Sequence, residues 1–411
     1  MMKILVVNKF LYYKGGSETY MFHLFEYMKK LGHEIEYFGM EDSRNVVGNS
    51  ARENISNLDF NGNILKKASY PFKVIYSLEA KSKISKVIKT FKPDIVHLNN
   101  YNYQVTPSIL YEIKKYNLPV VQTLHDPQLV CPYHRLYNNK RREYCEKCSG
   151  GKFVKCVTER CIDNSMLKSI IGALESYIYR QLGTYNYIDY FISPSHFLKE
   201  KIISMNSTIS REKFIVLHNF TNGIITEYTT IKEPYVLYFG RISAAKGIQT
   251  LISACKNLPQ IKFKFVGSGQ LENELTGIDN VEFLGYKTGE ELKNLISKAL
   301  FSVCPSEWFE NCPMSVLESQ MYGTPVIGSN IGGIPELIKN NYDGLLFASG
   351  DSEDLTRKIK YLYENDAILK RFSENCIKKA REFSIGNYCE KLKNIYRLAI
   401  EKHISTQRIS G

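Results

Sequence analysis

Glu310 and Glu318, separated by seven residues, lie in the stretch Pro305-Ser306-Glu307-Trp308-Phe309-Glu310-Asn311-Cys312-Pro313-Met314-Ser315-Val316-Leu317-Glu318, between an apolar strand pattern and a helical one. The first N–H groups of a helix lack partners and its dipole is positive there, so such an entrance is an anion site. Asn311 is expected to cap this helix, and a proline so near the start costs little. Glu310 then falls in the loop at the mouth, and Glu318 more than a turn inside. A carboxylate in that place does not serve a phosphate. It can accept paired hydrogen bonds from vicinal hydroxyls, as a ribose offers them. Taken alone, the two glutamates also read as solvated surface charges.

A second element bears on that choice. The strand pattern Tyr235–Phe239 ends in Gly240-Arg241-Ile242-Ser243-Ala244-Ala245-Lys246-Gly247 and opens into a helix. Arg241, with its planar fork, and Lys246, a compact charge, can converge on a diphosphate. Two idle cations near a helix N-terminus would be disfavoured by the dipole. Gly267, in Val266-Gly267-Ser268-Gly269 after another strand, could bring backbone close to a base or phosphate. The third glycine of a dinucleotide fingerprint is missing, which argues against a nicotinamide cofactor.

Positioning these residues takes a regular scaffold. Strand patterns at Lys3–Val7, His33–Phe38, Asp94–Leu98, Pro119–Leu124, Tyr190–Pro194 and Phe214–Leu217 alternate with helical ones such as Glu18–Leu31. Around Asn219–Pro234 the pattern loosens, as in a linker. A second series then begins, at Tyr235–Phe239, Lys262–Val266, Val281–Leu284, Phe301–Cys304, Pro325–Gly328 and Gly344–Phe347. Alternating strands and helices predict parallel sheets covered on both faces. The expected fold is therefore α/β, two doubly wound Rossmann-like domains facing a cleft: residues 1–219, with an insertion at 126–164 and completed by a C-terminal helix at 385–405, and residues 220–384.

The 411 residues are 44% hydrophobic and 23% charged, which suits a folded protein of two or three domains. No apolar run is long enough for a membrane helix, and the start is too short for a signal peptide, so a cytosolic location is expected. Residues 1–220 carry 31 Lys and Arg against 20 Asp and Glu, nearly the whole of the net charge of +12. That asymmetry suggests an anionic partner. The insertion holds Cys131, Cys145, Cys148, Cys156 and Cys161. One C-x2-C pair and three further thiols read either as a structural zinc site or as plain reduced thiols.

At these motifs the chain resembles the family-four retaining glycosyltransferases of the GT-B fold. The Glu-x7-Glu pair, the Gly-Arg-x4-Lys-Gly run around Arg241 and Lys246, and Gly332-Gly333-Ile334-Pro335-Glu336 carry the resemblance. It implies that Arg241 and Lys246 hold the donor diphosphate and that Glu318 binds the ribose. Glu310 would touch hydroxyls of the transferred hexose, and the amides of Asn311, Cys312, Pro313 and Met314 would line the phosphate and sugar pocket. Gly15 and Gly16, at the first strand–helix turn, would let backbone approach donor or acceptor. His125, in Leu124-His125-Asp126, would face the donor sugar and stabilise developing charge.

No Asp-x-Asp occurs, so transfer is expected without Mg²⁺, Mn²⁺ or another cofactor, with cations and a helix dipole neutralising the leaving group. The implied reaction moves a hexose-type sugar from a UDP-, GDP- or ADP-sugar to a glycan or lipid-linked acceptor with retention. A nucleotide-sugar epimerase of the same fold and a non-catalytic nucleotide-sugar-binding protein are the competing readings; no nucleic acid is expected as a partner. Finally, Lys66, Lys67, Lys73, Lys81, Lys83, Lys86, Lys89 and Lys92 surround a single acid, Glu79. Their expected role is salt-sensitive, peripheral attachment to an anionic membrane surface; the competing reading is a solvated helix face.

Overall fold

The structure, a computed structural model, describes residues 1–57, 73–138, 140–141, 143–206, 208–221 and 231–410. Lys66, Lys67 and most of the loosened stretch after Asn219 lie outside them. The chain divides into two compact units, Met1–Leu217 with Cys389–Gly411, and His218–Tyr388.

The first unit contains β1 (Lys3–Val7), β2 (Glu34–Phe38), β3 (Ile95–Leu98), β4 (Val120–Thr123), β5 (Tyr137–Asn138), β6 (Glu143–Tyr144), β7 (Tyr190–Ser193) and β8 (Phe214–Val216). Six of them form a sheet in the order β2-β1-β3-β4-β7-β8, every pair parallel. Ile4, Leu5, Val6 and Val7 are fully buried, as a strand covered by helices on both faces requires. β5 and β6 form a small antiparallel hairpin inside the cysteine-bearing segment.

The second unit is built on β9 (Glu233–Phe239), β10 (Lys262–Val266), β11 (Val281–Phe283), β12 (Ala299–Cys304), β13 (Val326–Ser329) and β14 (Gly344–Phe347). The order β11-β10-β9-β12-β13-β14 is the doubly wound arrangement with its topological switch between β9 and β12. In the first unit the corresponding reversal falls between β1 and β3. Both units are thus the Rossmann-like folds expected from the strand–helix alternation.

The boundary lies two residues before the expected one because His218 and Asn219 are tied to the second unit. His218 Nε2 sits 2.9 Å from Glu336 Oε2, and Asn219 Nδ2 donates to the Cys312 carbonyl at 3.1 Å. The last helix runs Ile385–Ser410 and is shared, its residues from Cys389 onward belonging to the first unit. There Leu392, Tyr396 and Ala399 are fully buried. Tyr396 hydrogen-bonds His97, and His403 Nε2 lies 2.9 Å from Asp189 Oδ2.

Candidate functional site

In the second unit, two strand ends flank the switch point, where a doubly wound sheet binds ligands. Beyond β9, Gly240 to Gly247 forms a loop closed by a short 3₁₀ turn, Ala244–Lys246. Beyond β12, Pro305 to Pro313 leads into the helix Met314–Met321. Glycines lock the loops together. A Cβ at Gly247, whose φ is +70°, would stand 1.8 Å from the Pro305 carbonyl oxygen; one at Gly267, φ +139°, would stand 1.8 Å from that of Gly240. Gly267 is therefore required by backbone crossing backbone, whatever it also does for a ligand.

Within this frame Lys246 and Glu310 form an ion pair. The same Glu310 Oε1 accepts from Ser306 Oγ at 2.6 Å and Trp308 Nε1 at 3.0 Å, and the Lys246 ammonium lies 5.4 Å from the Trp308 ring centroid. Burial by itself would raise the Glu310 carboxyl, but the lysine charge and these donors outweigh it and hold the group below the usual carboxylate range. Sequence reasoning put Glu310 and Lys246 on separate duties. The structure joins them, and adds Ser306 and Trp308 as the groups that aim the carboxylate.

Glu318 is the fifth residue of the helix Met314–Met321, and burial pushes its carboxyl up to about 7. Arg241 is exposed at the end of β9. Asn311 does not cap the helix: the N-cap position belongs to Pro313, with no side-chain cap, because the turn is held from outside. Gly333 N donates to the Glu310 carbonyl at 2.7 Å, and Asn219 holds that of Cys312. Cys312 is buried in the apolar cluster with Val316, Leu317 and Ile334, so its side chain packs inward. The arrangement offers a charged acceptor group, cations and a helix entrance around one strand switch, which suits a polyhydroxylated diphosphate.

In the first unit, the loop after β1 begins the helix Gly16–Lys30. A Cβ at Gly16 would meet nothing within 4 Å, so neither fold nor backbone strain explains that glycine. Asn8 and Asn100, at the ends of β1 and β3, tie the turn: Asn100 N donates to Asn8 Oδ1 at 2.9 Å and Asn100 Nδ2 to Ser17 Oγ at 3.1 Å. His125 follows β4. Its Nε2 lies 2.9 Å from Asn99 Oδ1, an acceptor, so Nε2 carries the proton. Burial lowers the imidazole to about 4, against an opposing pull from Asp126, which keeps the ring neutral at pH 7. The edge of the Tyr20 ring packs against it. Asn8, Asn99 and Asn100 were not singled out from the sequence. Their signal was three asparagines directly after apolar strands, legible only once β1 and β3 are known to be neighbours.

The thiols of the insertion lie close enough to act on one another electrostatically, Cys131, Cys161 and Cys145 on Cys148, and Cys161, Cys148 and Cys131 on Cys156. Among the described residues no group of three or more His, Cys, Asp or Glu side chains is placed to hold a metal ion. Cys148 and Cys156 are buried with Phe153 and Ala173, with Cys161 packed alongside; Cys131 is buried too, and Cys145 is partly exposed. Burial pushes the Cys148 thiol up to about 12. Protonated thiols of this kind pack as small hydrophobes.

Comparison with known proteins agrees with both halves of the geometry. The profile of Glycosyltransferase Family 4 matches residues 14–222, and that of Glycosyl transferases group 1 matches 227–383. An uncharacterized 42.6 kDa protein in the cps region of Klebsiella pneumoniae is 24% identical over 357 residues, 82% of this chain and 87% of that one. The UDP-Gal:alpha-D-GlcNAc-diphosphoundecaprenol alpha-1,3-galactosyltransferase of Escherichia coli is 31% identical over 148 residues, 34% of this chain and 37% of its own. Among solved structures, Anabaena HepE in complex with UDP-glucose superposes with a TM-score of 0.65 at 17% identity, covering 99% of this chain and 100% of that one.

Proposed function

Since the chain belongs to glycosyltransferase family 4, we propose that it moves a hexose-type sugar from a nucleotide-sugar, with retention and without a metal ion, to a glycan or lipid-linked acceptor. The observation that carries this reading is the Lys246–Glu310 ion pair that joins the loops after β9 and β12 at the switch point. It supports a cation for the diphosphate and a carboxylate for the sugar hydroxyls on adjoining loops, with Glu318, on the helix that follows the second loop, proposed for the ribose. HepE was solved with UDP-glucose, and the Escherichia coli enzyme is named for UDP-Gal and a diphosphoundecaprenol acceptor. Both support a UDP-sugar and a lipid-linked acceptor here.

In this mechanism Lys246 and Arg241 take up negative charge as the sugar leaves the diphosphate, work that other enzymes give to a chelated metal. Glu310, held by Ser306 and Trp308, orients the sugar. For His125 the family resemblance implies a role toward the donor sugar; in the first unit its ring is neutral, with Nε2 held on Asn99. The test is incubation with labelled UDP-, GDP- and ADP-sugars, with and without EDTA. One donor is expected to release free nucleotide at the same rate in both, with a product whose anomeric configuration matches the donor. A requirement for added Mn²⁺ overturns the metal-free mechanism, and an epimerised donor overturns transfer itself.

The perturbed Glu318 makes a second, independent check. Ribose hydroxyls donate to the ionised carboxylate, and burial holds that carboxyl at about 7. Raising the pH from 6 to 8 should therefore tighten UDP binding by about tenfold relative to Glu318→Gln, one pKa unit being a tenfold change in population. Calorimetry showing the same pH profile for both proteins would remove Glu318 from the ribose.

A further inference from the structure

The helix Met166–Gln181 is turned inside out. Its buried face is made of Ser169, Gly172, Ala173, Glu175, Ser176 and Tyr179. Its outward face carries Leu167, Ile170 and Leu174, exposed to 64%, 41% and 47%, and is prolonged by Leu182 at 60%. Ile171 and Ile178, half-buried, fall on the same stripe at helical spacing. Large apolar side chains on a helix normally turn to the core, and a contiguous exposed patch of them marks an interaction surface. Close packing explains the inner face: a Cβ at Gly172 would stand 2.5 Å from Ile162 Cδ1, so small residues are needed there. Nothing inside the unit calls for the outer one.

The borders of the stripe say what covers it. The short helix Val154–Thr158 packs against this one and presents Val154, 52% exposed, between the exposed Lys152 and Lys155. Arg160 is exposed next in the chain. Among the described residues Lys152, Lys155 and Arg160 make no ion pair, while the nearby acids are taken: Asp163 by Lys168 at 2.8 Å, Glu159 by Lys147 at 2.8 Å and Arg141 at 3.2 Å. Among the described residues the Lys66–Lys92 run differs in turning its apolar helix face inward. Its helix Leu78–Phe91 buries Ile84, Val87, Ile88 and Phe91, and Lys83 and Lys86 pair with Glu79 and Glu53.

We propose that the outward face of Met166–Leu182, edged by Lys152, Lys155 and Arg160, lies on an anionic lipid bilayer. Sixteen helical residues give a stripe of about 24 Å lying flat, with leucines and isoleucines in the acyl boundary and cations at the headgroups. Anionic lipid covers the apolar stripe and neutralises these unpaired cations at once, whereas a purely apolar partner surface leaves the cations unpaired. The surface deepens the reading of a lipid-linked acceptor, but its test does not depend on donor chemistry.

The experiment is co-sedimentation with vesicles of phosphatidylcholine alone and with added phosphatidylglycerol, at low and high salt. The wild-type protein is expected to bind only the anionic vesicles and to release in high salt. Leu167→Gln with Leu174→Gln should cut the bound fraction at least tenfold, as should Lys152→Glu with Lys155→Glu. Lys83→Gln with Lys86→Gln should bind like the wild type. UDP affinity should stay within about twofold throughout, which separates a lost surface from a lost donor site and confirms folding. Wild-type binding that is absent or indifferent to lipid charge overturns the proposal. So does unchanged binding by the leucine pair, or a wild-type dimer in sedimentation that the leucine pair converts to monomer.

Discussion

Lys246→Met is expected to lower turnover by about 10²–10³-fold and also to destabilise the second unit, by about 2–3 kcal/mol. The second effect follows from the pairing. Without the ammonium, the Glu310 carboxylate keeps its hydrogen bonds from Ser306 and Trp308 but loses the charge that compensates its burial. Breaking a fully buried pair costs about 3–5 kcal/mol, and the figure here is lower because about a quarter of the Lys246 side chain, 27%, is exposed to solvent. Adding Glu310→Gln to Lys246→Met should restore most of that stability, since a neutral amide can still accept from both donors. It should restore no turnover, since neither the diphosphate cation nor the charged sugar acceptor returns. Thermal melts of the two single variants and the double variant measure the coupling. Additive losses of stability would mean that the two side chains do not depend on one another.

Gly247→Ala is expected to be more damaging than either charge change. A left-handed alanine costs about 1–2 kcal/mol, and displacing the Pro305 carbonyl from a 1.8 Å overlap adds about 1–3. A total near 3–4 kcal/mol is a large part of ordinary domain stability, and should lower the melting temperature of this unit by about 10 °C. Because the displaced carbonyl belongs to the loop that carries Glu310, nucleotide binding should fail together with stability. Gly16→Ala supplies the contrast. Its Cβ enters open space, so melting should be unchanged and only the kinetics with donor or acceptor should suffer. An alanine at position 247 that melts like the wild type would mean that the β9 and β12 loops are not interlocked.

Strands covered on both faces were easy to read, since Lys3–Val7 is a short apolar run whose residues Ile4 to Val7 are all fully buried. Motif residues on one strand–helix junction were equally legible, since Glu310 and Glu318 are placed by local geometry. Pairings across the sheet order were not. Lys246 and Glu310 are 64 residues apart, and their partnership exists only because β9 and β12 adjoin. The same holds for Asn8 and Asn100 across β1 and β3. Cysteine spacing fixes neither the direction of a thiol nor its neighbours: Cys148 and Cys156 pack with Phe153 and Ala173, while Cys145 is partly exposed. The helix Met166–Gln181 shows the same limit: periodicity separates two faces, but which one is buried depends on what Ile162 and the short helix before it leave room for.

The division of the chain also sets an order of events during synthesis. Residues His218–Tyr388 are contiguous and can complete their sheet as soon as they emerge. The unit that begins at Met1 cannot, because Leu392, Tyr396 and His403 come last and close over His97 and Asp189. Domains made at the amino end usually finish first on the ribosome. Here the half translated second is ready earlier, and the half translated first waits, with an uncovered strip of its core beside β3 and β4, for a helix nearly 300 residues downstream of the histidine it will cover.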